Sequence, residues 1–73
     1  MTFKQLMKIK GYTQSKLVKE LTNKNCYKYQ QQVSDWCSGK RLPDIISLYY
    51  ISKILEVTVD DLTNCFLKSA GIL

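Results

Sequence analysis

Apolar residues recur three and four positions apart through most of this chain, and nowhere do they alternate long enough to mark a strand. Phe3, Leu6 and Met7 predict a first helix over about Thr2–Lys10. Gly11 ends it, as the left-handed residue that commonly follows a helix. Thr13 is a good N-cap for a second helix carrying Leu17, Val18 and Leu21, which frays in the polar cluster Thr22–Asn25. A third covers about Tyr29–Cys37, with Val33 and Trp36 on its apolar side and Cys37 at the edge, and stops at Ser38-Gly39. A fourth follows Pro43-Asp44, its inward stripe reading Ile45, Leu48, Ile51, Ile54 and Leu55. A fifth begins after Thr58 with Val59, Leu62 and Phe66 inward. There Thr58 and Asp61 resemble a capping box with aspartate in place of glutamate. Five short helices joined by tight turns predict an all-α globule formed by one domain, 1–73, without repeat or linker.

Composition narrows the chemistry. With 73 residues the core is small and encloses nothing large. No apolar run approaches the roughly 18 residues of a membrane span. The start, "MTFKQLMKIK", scatters lysines through its short apolar run, unlike a signal peptide, so a cytoplasmic protein is expected. Histidine is absent, and Cys26, Cys37 and Cys65 form no CxxC pair, so neither a metal site nor a cofactor is expected and the thiols read as small apolar residues. The few carboxylates have no partner set for acid–base or nucleophilic work, so no enzyme is expected. Charge is lopsided. Residues 1–41 carry nine cations against Glu20 and Asp35, net +7; residues 42–73 carry Lys53 and Lys68 against four carboxylates, net −2. A basic half joined to a mildly acidic one suits a polyanion-binding face.

That asymmetry gives the stretch "KYQQQVSDWCSGKRLP" its interest. Opposite Val33 and Trp36 the third helix presents Gln30, Gln31, Ser34 and Asp35, with none of the lysine–glutamate pairs of an ordinary solvated face. Glutamine can hydrogen-bond an adenine edge bidentately, and a helix fits the DNA major groove. Lys28 before the helix and Lys40 and Arg41 after it are placed to hold phosphates, while the neutral side chains between them read bases.

The segments "GYTQSKLVKEL" and "VSDWCSGKRLPDIISLYYISKILEVTVDDL" together resemble the Cro/C1-type (XRE-like) helix-turn-helix family of phage repressors and bacterial regulators, from Phe3 to about Phe66. The resemblance implies a five-helix, lambda-repressor-like DNA-binding domain with its helix-turn-helix at the second and third helices. It implies base contacts from the early recognition-helix positions, here Gln30 and Gln31, and from Asp35. It also implies phosphate contacts from Gln14 at the start of the second helix and from the turn Ser38 to Arg41. It further implies a phage or mobile-element origin in a bacterial host. One departure is plain: "TNKNCYKYQQQ" separates Leu21 from Val33, longer than the family's short turn, and Tyr29 stands where serine or threonine is expected as N-cap.

The expectation is a sequence-specific double-stranded DNA-binding regulator, most simply a repressor. The competing one is a protein-interaction module such as an antitoxin or accessory regulator, with Tyr49-Tyr50 and the tail "AGIL" as its working surface. A homodimer is expected, completed on DNA, because one recognition helix touches few base pairs. Leu67, Ile72 and Leu73, surplus to a small core, mark the fifth helix and tail as its contact.

Overall fold

Four of the five helices begin where a short oxygen-bearing side chain can accept an otherwise orphaned N–H. In the computed structural model, which describes all residues Met1–Leu73, the helices are α1 (Phe3–Ile9), α2 (Gln14–Asn23), α3 (Gln30–Ser38), α4 (Ile45–Leu55) and α5 (Val59–Ser69), and there is no strand. Thr2, Thr13, Asp44 and Thr58 accept from the backbone N–H three residues on, at 3.2, 3.1, 3.3 and 3.0 Å. Thr2 and Gln5 complete a full capping box, since Gln5 Oε1 accepts from the Thr2 N–H at 2.9 Å. Asp61 forms no return bond to Thr58, so the box expected there is half made. Only α3 starts on a residue without a suitable oxygen. Gln32 supplies the cap bond instead, its Oε1 accepting from the Tyr29 N–H at 2.8 Å. None of the helices is long and apolar enough to cross a membrane.

The core lies where all five helices meet. Phe3 stacks on Phe66 with ring centroids 4.3 Å apart, and Trp36 meets Phe66 edge-on at 6.4 Å, joining α1, α3 and α5. Leu17 and Leu21 of α2, Val33 of α3, Ile51 and Leu55 of α4, and Leu62 of α5 complete it. The three free cysteines fill space, Cys26 and Cys65 buried and Cys37 half-buried.

The connection between α2 and α3 is an ordered bracket. Asn25 takes the left-handed conformation (φ 60°), the Asn25 N–H returns to Thr22 O, and the Cys26 N–H returns to Leu21 O at 2.9 Å. This is a Schellman closure built on asparagine. Residues 26–29 then point alternately inward and outward. Cys26 is buried with its Sγ 3.6 Å from Ser47 Oγ, and Lys28 Nζ lies 3.0 Å from Asp44 Oδ1, while Tyr27 and Tyr29 face out.

Two apolar positions depart from the periodic reading. Ile45, expected on the inward stripe of α4, is 81% exposed, and Val59 of α5 is exposed as well. In α4 two serines take inward places. Ser47 is fully buried, its hydroxyl donating to Asp44 Oδ1 at 2.7 Å; Ser52 is buried, donating to Tyr49 O at 2.6 Å. A buried hydroxyl with a local acceptor has little desolvation penalty. The inward stripe therefore reads Ser47, Ile51, Ser52, Leu55, with Leu48 and Ile54 half-buried at its edges, and Ile45, Ile46 and Tyr49 turn outward.

Candidate nucleic-acid interface

The α3 geometry follows from which residues the core takes. Val33 and Trp36 are buried, so the opposite side carries Gln30 and Gln31, both exposed, and Ser34 and Asp35, half-exposed, with exposed Ser38 at its end. The side chains on this face are held. Gln31 Nε2 donates to Asp35 Oδ1 at 3.0 Å, one helical turn on. Asp35 Oδ2 lies 3.5 Å from Arg41 Nε. Ser15 Oγ donates to Gln30 Oε1 at 3.4 Å, joining the first turn of α2 to the first turn of α3.

The turn after α3 is equally fixed. Gly39 is left-handed (φ 82°), and the backbone N–H groups of Lys40 and Arg41 both donate to Asp35 O, at 3.0 and 3.4 Å. Ser38 Oγ also donates to that carbonyl, at 3.2 Å. A side chain at Gly39 would run into the backbone of Ser69 and Ala70 at the end of α5. Ser69 in turn accepts from the Phe3 N–H at 2.9 Å and donates to Cys65 O at 3.0 Å, so the end of α3, the start of α1 and the end of α5 meet at one joint. Lys40 and Arg41 project into solvent from this anchored turn.

Of the nine residues singled out from the sequence, Gln30, Gln31, Ser34, Asp35, Ser38, Lys40 and Arg41 therefore share one contiguous surface along α3 and its turn. Gln14 is half-buried at the start of α2, one residue before the Ser15 link to Gln30. It borders an open cleft of about 250 Å³ with Lys4, Met7, Lys8, Tyr12, Thr13 and Cys37. Burial pushes the Cys37 thiol up, which keeps it protonated at neutral pH. Lys28 has a partner within the chain, Asp44, and it faces α4 from the bracket. The Ser47 hydroxyl is the main influence holding the Asp44 carboxyl down at about 2, with Lys28 adding to it.

Sequence reasoning missed Ser15, Gln32, and the Lys4 and Lys8 rim beside Gln14. Gln32 had a legible signal, a glutamine three residues past the N-cap position. Ser15 and the two lysines had none, because what matters is which helix they lie against. No protein-family model matches the chain, and neither does any curated protein or solved structure.

Proposed function

We propose that this chain is a Cro/C1-type helix-turn-helix regulator that binds double-stranded DNA sequence-specifically, with α2 and α3 as the helix-turn-helix pair and α3 in the major groove. It acts as a repressor where its site overlaps a promoter. The observation that carries the reading is the exposed Gln30–Gln31 face followed by an anchored cationic turn, Lys40-Arg41. Bidentate recognition of adenine needs one acceptor and one donor on the same amide. After its bond to Asp35, Gln31 keeps Oε1 and one N–H free. Lys40, Arg41, the Lys4 and Lys8 rim and Gln14 supply phosphate contacts, which position the helix without reading sequence. Lys28 contributes from within its pair with Asp44.

The same reading includes a homodimer. Leu67 lines an apolar groove with Leu42, Pro43, Leu48, Thr63 and Phe66, and the exposed Ile72 hydrogen-bonds back to Leu67 O at 2.9 Å. Two copies of a +5 chain meet best on such a face, where no charged side chain lines the groove. The alternative reading, a protein-interaction module, has its own observation: Leu42, Ile45, Ile46 and Tyr49 are all exposed on and beside α4.

Salt dependence separates the two. Binding of about four to six phosphates per chain gives a log–log slope near −0.9 per contact, measured by fluorescence anisotropy on duplex DNA. Lys40→Ala flattens that slope by about one contact. A slope near zero removes the DNA reading and leaves the α4 surface as the working one.

A further inference from the structure

Tyr27 and Tyr29 are 71% and 81% exposed, although aromatic rings in so small a protein are valuable to its core. Nothing in the fold explains Tyr29. It stands at the N-cap of α3, where its backbone N–H and carbonyl are used but its side chain makes no cap bond. Serine or threonine there would stabilise the helix better. Yet the segment presenting it is not loose. Cys26 and Lys28, its inward-facing neighbours, are tied to Ser47 and Asp44 of the α4 start, and Tyr27 is steadied through its hydroxyl, which donates to Asn25 Oδ1 at 3.2 Å. The bracket thus presents an aromatic side chain to water from a tied backbone, immediately before Gln30 and Gln31.

We propose that the bracket Cys26–Tyr29 is a second DNA-contacting element and that Tyr29 is a specificity-determining residue. This rests on the DNA reading above. The ring supplies an apolar surface for a thymine 5-methyl group at the edge of the site read by α3, the one apolar mark that a major groove displays. Its hydroxyl is placed to donate to a neighbouring phosphate oxygen. Because Cys26 and Lys28 already order the backbone, little backbone freedom remains to be lost when the ring docks. Charge favours DNA as the occupant over a protein: the bracket lies in the +7 half of the chain, Lys24 leads into it, and Asp44, the carboxylate beside it, is paired with Lys28.

The test uses the full chain and a duplex selected from a random pool, with anisotropy as readout and circular dichroism to verify folding. Tyr29→Ala weakens binding to the selected duplex about tenfold, the scale of one lost base-pair contact, and changes random duplex less than twofold. Uracil is then substituted for each thymine of the site in turn, removing one methyl at a time. One such position weakens the unaltered protein and has no effect on Tyr29→Ala, while Tyr29→Phe retains that methyl sensitivity. Equal losses on selected and random duplex overturn the specificity role. Unchanged affinity of Tyr29→Ala, with Gln31→Ala and Lys40→Ala still weakened, overturns the bracket as a DNA element while leaving the DNA reading intact. Failure of the unaltered protein to select any duplex removes both.

Discussion

Asp44 ties the α4 start to the bracket, and removing its carboxylate has a magnitude that the structure supplies. It caps α4 through the Ser47 N–H at 3.3 Å, accepts from the buried Ser47 hydroxyl at 2.7 Å, and pairs with Lys28 at 3.0 Å. Asp44→Ala removes all three. Loss of the cap costs about 1 kcal/mol. Loss of the acceptor leaves a fully buried hydroxyl with only the weak Cys26 thiol at 3.6 Å, which costs about 1–2 kcal/mol. The ion pair adds no more than about 0.5 kcal/mol, because half of the Asp44 side chain faces water and the pair is screened. Together the loss is about 2–3 kcal/mol, against a total of about 4–11 kcal/mol for a domain of this length. At about 4–8 °C per kcal/mol, the melting temperature falls by about 8–24 °C.

Asp44→Asn is the control. Asparagine caps as well as aspartate and can still accept from Ser47, so this variant loses only the charge, about 0.5 kcal/mol. The two also separate by pH. The folded carboxyl titrates at about 2, below its ordinary 3.8, so the fold favours the charged form. That contribution is complete above the ordinary carboxylate range and disappears as pH falls from about 4 through 2. The gap between the unaltered protein and Asp44→Asn, measured by urea unfolding, therefore closes on acidification. A loss below about 0.5 kcal/mol for Asp44→Ala at neutral pH, or a gap that widens in acid, would refute this account of how α4 begins.

The other predictions address the interface and its scaffold. Gln31→Ala costs roughly 1–3 kcal/mol on the selected duplex and little on random DNA, whereas Lys40→Ala weakens both alike; equal losses on random DNA from both would mean that Gln31 does not read bases. Gly39→Ala, forced into a left-handed conformation and against the Ser69 carbonyl, destabilises by about 2–4 kcal/mol in denaturant titration. Gly11→Ala, left-handed but with open space around it, costs about 1 kcal/mol, and similar values for the two would deny the α3–α5 joint. Sedimentation of the saturated protein–duplex complex gives two chains on a site with dyad symmetry, half-site centres about 34 Å apart. Deleting Ile72 and Leu73 reduces this to one chain without unfolding the domain.

How much of this was legible beforehand differs by feature. The five helices were, because Thr13, Pro43-Asp44 and Thr58 are local signals that need no tertiary partner. The inward face of α4 was not. Hydropathy assigns Ile45 to the core and Ser47 to water, but Asp44 satisfies the Ser47 hydroxyl and makes the serine burial tolerable, which turns Ile45 outward. The α3 face followed directly from Val33 and Trp36. The bracket could not be read, since its ties join residues far apart in the chain, Cys26 to Ser47 and Lys28 to Asp44, and neither pair forms a recognisable pattern.

The three adjacent glutamines show how one residue type serves three ends within a single helical turn. Gln32 belongs to the fold, since its carbonyl oxygen closes the N-terminus that Tyr29 leaves uncapped. Gln30 touches α2 through Ser15 and so is sensitive to how the two helices sit. Gln31 is tied to Asp35, and Asp35 to Arg41. That relay accounts for the one carboxylate on a face proposed to meet phosphates. An unpaired aspartate there would repel DNA, but with Gln31 donating to one oxygen and Arg41 beside the other its charge is largely offset. It holds the Gln31 amide in place, leaving one donor and one acceptor unused within the chain. On the proposed reading, base recognition and phosphate grip are therefore coupled through Asp35. On that reading Arg41 contributes to specificity without touching a base, because it lies beside the carboxylate that orients Gln31.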